Sequence, residues 1–140
     1  MRWIFRGGLQ KPGTKKQPEN FSGCLLSRLK PNPTMNRRII TAADFTADRP
    51  WGALNIAAFA GNTTVRLHWS DQPYRWHTND GEEVFAVMDG EVDMHYRENG
   101  TEHVVRLETG DIFHAGIGTE HIARPIGAAR ILVIEKEGSV

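Results

Sequence analysis

Beyond Ile40 the apolar residues come in short runs rich in Val, Ile, Phe, Tyr and Trp, cut at close intervals by Gly, Asn, Asp and Pro. Such runs favour strands, and the residues between them favour turns. They predict eight strands: Leu54–Ala60, Thr63–Trp69, Glu83–Met88, Glu91–Tyr96, Glu102–Leu107, Asp111–Ala115, Glu120–Arg124 and Arg130–Glu135. In the fourth run Val92, Met94 and Tyr96 alternate with Glu91, Asp93 and His95, so one face is apolar and the other wet. The dipeptides Asp89-Gly90 and Asn99-Gly100 tolerate the positive φ of tight hairpin loops, which predicts antiparallel neighbours on either side of each. The only helical candidate is a short turn at Thr41–Phe45, with Thr41 as its cap. An all-β sandwich or barrel is the expected class.

Composition changes sharply before this pattern begins. Residues 1–34 hold seven Lys/Arg against one acidic residue and four of the seven prolines, without sustained periodicity, and are expected to form a disordered basic tail. Residues 35–140 are the expected barrel domain, with ten Lys/Arg against sixteen Asp/Glu. Met35 stands where the composition turns, which suggests a translation start there and an upstream extension before it.

An acidic domain is a poor partner for phosphate backbones, and no basic stripe is interleaved with aromatics, so no nucleic-acid partner is expected. No apolar run approaches the roughly 20 residues of a spanning helix or the roughly 7 to 15 of a secretory peptide, so no membrane partner is expected either. Cys24 is the only cysteine. It cannot pair within the chain, and a cytoplasmic location follows as the expectation.

Four ligand-type side chains fall at suggestive places. His77 and Asn79 are two apart and share a face in an extended segment, while Glu83 follows the Asp80-Gly81 turn and shares its parity with Phe85 and Val87. A lone carboxylate among apolar neighbours is costly unless paired or bound to a cation. His121 opens a later strand with the parity of Ala123. In a closed barrel these four can meet, either around a divalent ion or as a set of buried polar groups bonded to each other.

The stretch His77-Thr-Asn79-Asp-Gly-Glu-Glu83, followed after six residues by Gly90, resembles the first cupin motif. The stretch Gly110-Asp-Ile-Phe-His-Ala-Gly116-Ile-Gly118-Thr-Glu-His121 resembles the second. The resemblance implies a jelly-roll double-stranded β-helix holding one divalent metal, Mn, Fe, Ni or Zn, on His77, Glu83 and His121, with Asn79 where the family has its second His. Asp71 for a Gly and Gly116 for a Pro are smaller departures. The pattern around Trp76-His77 and Glu83-Val-Phe85 resembles small single-domain cupins of the mannose-6-phosphate isomerase-like type, which implies a homodimer. It also implies metal-dependent isomerase, dioxygenase or lyase chemistry on a small polar molecule; the alternative is a non-catalytic barrel binding a sugar or organic acid.

His114, Trp76 and Phe85 are the candidate pocket residues, with Trp69 and Tyr74 as further aromatics. Arg66, Arg75 and Arg124 stand as contacts for an anionic substrate or as solvated surface, and His68, His95 and His103 alternate with apolar neighbours and are read as facing solvent. No phosphate-cradling loop and no Gly-x-Ser-x-Gly elbow competes with this chemistry.

Overall fold

Seven strands in one continuous antiparallel sheet form the framework of the protein, as seen in a computed structural model that describes residues 37–139. The expected tail at residues 1–34, Cys24 and Met35 lie outside the described residues. The strands are β1 (Gly52–Phe59), β2 (Thr63–Ser70), β3 (His77–Thr78), β4 (Glu83–Glu98), β5 (Thr101–Glu108), β6 (Ile112–Ala115) and β7 (Glu120–Lys136). A single 3-10 turn spans Ala42–Asp44; Thr41 precedes it without a side-chain cap and accepts from the Asp44 N–H through its backbone carbonyl. No helix among the described residues is long and apolar enough to cross a membrane.

The expected fold class holds, but seven strands replace the expected eight: β3 is a short strand outside the expected set, and two expected breaks are absent. β4 runs unbroken through Asp89-Gly90, where the sequence suggested a hairpin, and β7 runs unbroken through Pro125–Ala129, where it suggested a gap. Both strands bend instead of ending: β4 and β7 pair along their whole length except for register shifts between Val87, Asp89 and Glu91. Gly90 has φ 87°, the left-handed value a hairpin would also use, so the dipeptide alone does not separate a turn from a bulge. Pro125 is tolerated because the Tyr74 N–H reaches the Ala123 carbonyl, so alternate residues of this stretch turn their backbone polar groups away from β4. The missing Pro125 N–H therefore costs no bond to β4. At Asn99-Gly100 the expected hairpin is present, with φ 50° and 78°.

The bend divides the sheet into two leaves. On one side of it the order is β1, β2, β7, β4, β6; on the other it is β3, β7, β4, β5. Arg130 beside the bend donates to Asp89 at 2.9 Å and to the Phe45 carbonyl at 2.9 Å, which ties the segment before β1 to this corner. Between the leaves lies a core of Phe85, Val87, Val92, Met94, Leu107, Ala123, Ala129, Ile131 and Val133, all buried. Val92 and Met94 are fully enclosed, while the opposite face carries Glu91 and Asp93 in ion pairs with Arg106, as the alternation predicts.

Candidate metal centre

His121 lies in the first half of β7 and stands opposite His77 of β3 in the ladder. Glu83, the first residue of β4, belongs to the other leaf, where its ladder partners are Ala115 and Glu135. The two leaves thus bring residues from distant parts of the chain to one place. Ligand-type atoms of His77, Glu83 and His121 lie within 4.8 Å of one another. His121 Nε2 is 3.3 Å from Glu83 Oε2.

That distance exceeds the roughly 2.7–2.9 Å of a charge-assisted N–H···O bond. Two ligands each bonded at about 2.1 Å to one ion stand about 3.0 Å apart in octahedral geometry and about 3.4 Å in tetrahedral geometry. The observed separation falls between these. His77 Nδ1 lies 3.1 Å from the Arg75 carbonyl, so that nitrogen donates and Nε2 keeps its lone pair. The donor set of two imidazoles and a carboxylate therefore fits a divalent ion.

Electrostatics support ligating protonation states. Burial opposes ionisation of Glu83, but contacts with His121 and Asn79 and the charge at His77 outweigh it and hold the carboxyl below its ordinary range. Burial lowers the His77 pKa, against the Arg75 carbonyl that would raise it. A carboxylate and a neutral imidazole are the forms that bind metal.

Asn79 is buried and its Nδ2 donates to Glu83 Oε2 at 3.1 Å, so its amide steadies the carboxylate. Its backbone N–H donates to Thr119 and its carbonyl accepts from Gly118, which pins the first motif to the turn of the second.

The triad opens on a cavity of about 270 Å³ whose other walls include Trp51, Arg66, His68, Tyr74 and Phe85. Phe85 lies where the sequence suggested. Trp76 does not line the cavity: its ring lies under the Arg97 guanidinium at 4.1 Å. His114 turns away as well, exposed and 4.0 Å from Glu82, because its parity on β6 is opposite to that of Phe113 and Ala115.

His68 is the clearest correction, since it faces inward and not solvent. On β2 the polar residues Arg66 and His68 line the cavity while Val65 and Leu67 lie on the opposite face, where Leu67 is itself buried. Their shared parity puts them on one face, but nothing within the strand marks that face as the inner one. Trp51 has φ 57°, a strained conformation for a bulky residue worth about 1–3 kcal/mol, and its indole N–H is fixed on the Gln72 carbonyl at 2.9 Å.

Burial lowers the His68 pKa from 6.5 to about 4, with Arg66 adding to the effect and the Trp51 carbonyl opposing it. Between these values the unfolded chain binds the proton and the folded one does not, so stability falls as pH drops from 6.5 towards 4. The loss levels off below that window and amounts to at most about 3 kcal/mol. Urea unfolding of metal-free protein across this range should show that slope, and His68→Phe should flatten it; an unchanged slope in the variant would assign the effect elsewhere.

Solved structures share this architecture. A cupin-2 domain protein from Shewanella frigidimarina is 24% identical, over 65% of this chain and 85% of its own, with TM-score 0.57. A cupin superfamily protein from Desulfitobacterium hafniense is 16% identical, over 71% and 91%, with TM-score 0.57. Hydroquinone 1,2-dioxygenase from Sphingomonas sp. TTNP3, solved with 4-hydroxybenzoate bound, is 20% identical over 66% of this chain and 29% of its own, with TM-score 0.57. No protein-family model and no curated protein matches the sequence.

Proposed function

We propose that this chain, which has the cupin fold, is a metal-dependent enzyme acting on a small polar organic molecule, with His77, Glu83 and His121 holding the ion. The observation that carries this reading is the meeting of two imidazoles and a buried carboxylate at the end of an open cavity. Two histidines with one carboxylate, leaving coordination positions free, is the donor set associated with non-haem iron(II) oxygenases. The same donors also hold catalytic zinc, so iron or manganese with dioxygenation is the first case proposed, and metal analysis decides among the expected ions. When bound, such an ion supplies Lewis-acid polarisation and, for iron, redox chemistry.

The chain's own residues do the rest. Glu83 and the imidazoles would hold the ion, Asn79 steadies the Glu83 carboxylate through Nδ2 while its Oδ1 is left to face the ion or water, and Phe85 with Val133 keeps that end of the cavity apolar. The finer likeness to mannose-6-phosphate isomerase-like proteins rests on sequence pattern alone, and one fold hosts many reactions.

A homodimer goes with this reading. Val65, Val84, Ile112, Leu132 and Ile134 turn away from the cavity on one leaf, and a second copy would cover this apolar outer face. Light scattering should then give about twice the 15.7 kDa chain mass, and a monomer at micromolar concentration would remove the dimer. A cytoplasmic setting suits a chain whose single cysteine cannot form an internal disulfide; recovery only from a secreted fraction would contradict it.

Metal analysis of purified protein tests the enzyme reading. Near-stoichiometric Fe or Mn is expected, with less than about a tenth remaining in His77→Ala and His121→Ala. Retention in both variants would sink the proposed site. Metal-free protein that gains thermal stability with a sugar or organic acid would favour a non-catalytic binding barrel.

A further inference from the structure

Two hollows meet at Arg66. The cavity of about 270 Å³ holds the triad, and a second hollow of about 440 Å³ lies along β1, walled by Asn55, Ala57 and Thr64 among others. Arg66 borders both. So does the stretch that follows β7, since Ser139 lines the first hollow while Glu137 and Gly138 line the second.

This stretch has a defined shape. After β7 ends at Lys136, the Ser139 N–H returns to the Lys136 carbonyl at 3.2 Å and closes a four-residue turn. Gly138, the third residue of that turn, has φ 83°, a left-handed value that glycine adopts without steric cost.

The turn is held from two sides. The Glu137 N–H donates to the Asn62 carbonyl at 2.6 Å, on the β1–β2 connection. On the other side Asp80 accepts two bonds at once, from Lys136 Nζ on Oδ2 at 2.8 Å and from Ser139 Oγ on Oδ1 at 2.9 Å. Asp80 belongs to the short loop between Asn79 and Glu83, so the turn ties the triad's own loop to the β1–β2 connection.

The two holds differ in kind. The Asn62 bond is backbone and continues the pairing of Thr63 with Lys136. The Asp80 clasp is made by side chains alone, and more than half of the Lys136 and Asp80 side-chain surface is open to water. Exposed ion pairs and single hydrogen bonds contribute little, so such a clasp opens readily while the barrel stays folded.

We propose that the turn Lys136–Ser139 is a latch, closed on Asp80, that parts the two hollows and opens to join them, so that a ligand longer than the closed cavity reaches the triad from the β1 side. The Asn62 bond is the pivot and Gly138 the residue that sets the closed shape. The latch governs access with or without an ion at the triad, so it stands or falls separately from the metal centre.

Diethyl pyrocarbonate labelling of metal-free protein, read peptide by peptide by mass spectrometry, tests this. The reagent modifies accessible imidazole nitrogens, and His77 lines the first hollow with its Nε2 lone pair free. Asp80→Ala removes the clasp. Gly138→Ala leaves Asp80 untouched and strains the turn through its backbone alone, since nothing lies within 4 Å of the added Cβ. Each variant should speed His77 labelling by about three- to tenfold, while His103, half-buried on β5 against Tyr96, should label at the parental rate.

Parental His77 rates in both variants would overturn the latch. So would His77 and His103 rising together, which would mean general loosening of the barrel. Acceleration in Asp80→Ala alone would assign the effect to the Asp80 loop and overturn the latch as well.

Discussion

Glu83→Gln should cost the protein its metal while leaving the metal-free fold within about 1 kcal/mol of the parent. The amide has the same shape, and its oxygen can still accept from Asn79 Nδ2, so the packing of this corner survives. What changes is the buried charge. Without an ion the carboxylate is held against its desolvation by His121, Asn79 and His77, and replacing such a group by a neutral isostere is often close to neutral for stability. With an ion, removing one partner of a buried charged set costs about 3–5 kcal/mol, which is about two to four orders of magnitude in affinity. Thermal melts with and without chelator read both effects. The parent should lose stability when metal is stripped, because an ion bound only by the folded state stabilises it, and the variant should not respond. A variant that still takes up metal with parental affinity would show that Glu83 is not a ligand.

Gly90→Ala should be strongly damaging for a single-methyl change, at about 3 kcal/mol or more. Two costs coincide at this residue. Its φ of 87° costs an alanine about 1–2 kcal/mol, and the added Cβ would lie 2.6 Å from the Ala128 carbonyl oxygen and 3.1 Å from Ala129 Cα. These are backbone atoms of the bulged partner strand, and Ala129 is fully buried, so neither side yields cheaply. Gly100→Ala is the matched control: φ is 78°, but nothing lies within 4 Å of its Cβ, so only the backbone cost of about 1–2 kcal/mol applies. Urea unfolding should separate the two variants by at least about 1 kcal/mol. Because β4 and β7 turn from one leaf to the other at this bulge, Gly90→Ala should also weaken metal binding, although Gly90 touches none of the three ligand residues. Equal destabilisation of the two glycine variants would mean that the close approach at the bend is not real.

Much of this is legible in the chain itself, and what is not legible has identifiable causes. The strands announce themselves because β-branched and aromatic runs sit between turn formers, and Val92, Met94 and Tyr96 show their inner face by parity. His77, Glu83 and His121 stand out because a carboxylate at a core parity and two well-placed imidazoles are chemically unusual. Bends are harder to see than turns. Asp89-Gly90 would serve a hairpin as well as a bulge, and Pro125 to Ala129 read as a loop because the freedom of Pro125 from β4 depends on a contact made by Tyr74, far away in sequence.

The cavity wall on β2 escapes for a different reason. Alternation tells which residues share a face but not which face is inside, and on β2 the cavity takes the polar side. Val65 and Leu67 would suit a core as well as an outer surface, so Arg66 and His68 look solvated until β7 and β4 are placed beside them. Trp51 gives no warning either, since its role depends on a left-handed backbone that a tryptophan seldom adopts.

Anomalous diffraction from crystals grown with Mn(II) is the most direct measurement. A single strong peak should lie about 2.0–2.4 Å from a ring nitrogen of His77, a carboxylate oxygen of Glu83 and a ring nitrogen of His121, with Asn79 still bonded to the carboxylate. Density for the three side chains turned away from one another, or a peak only at some other place on the protein, would contradict the metal centre and the enzyme built on it.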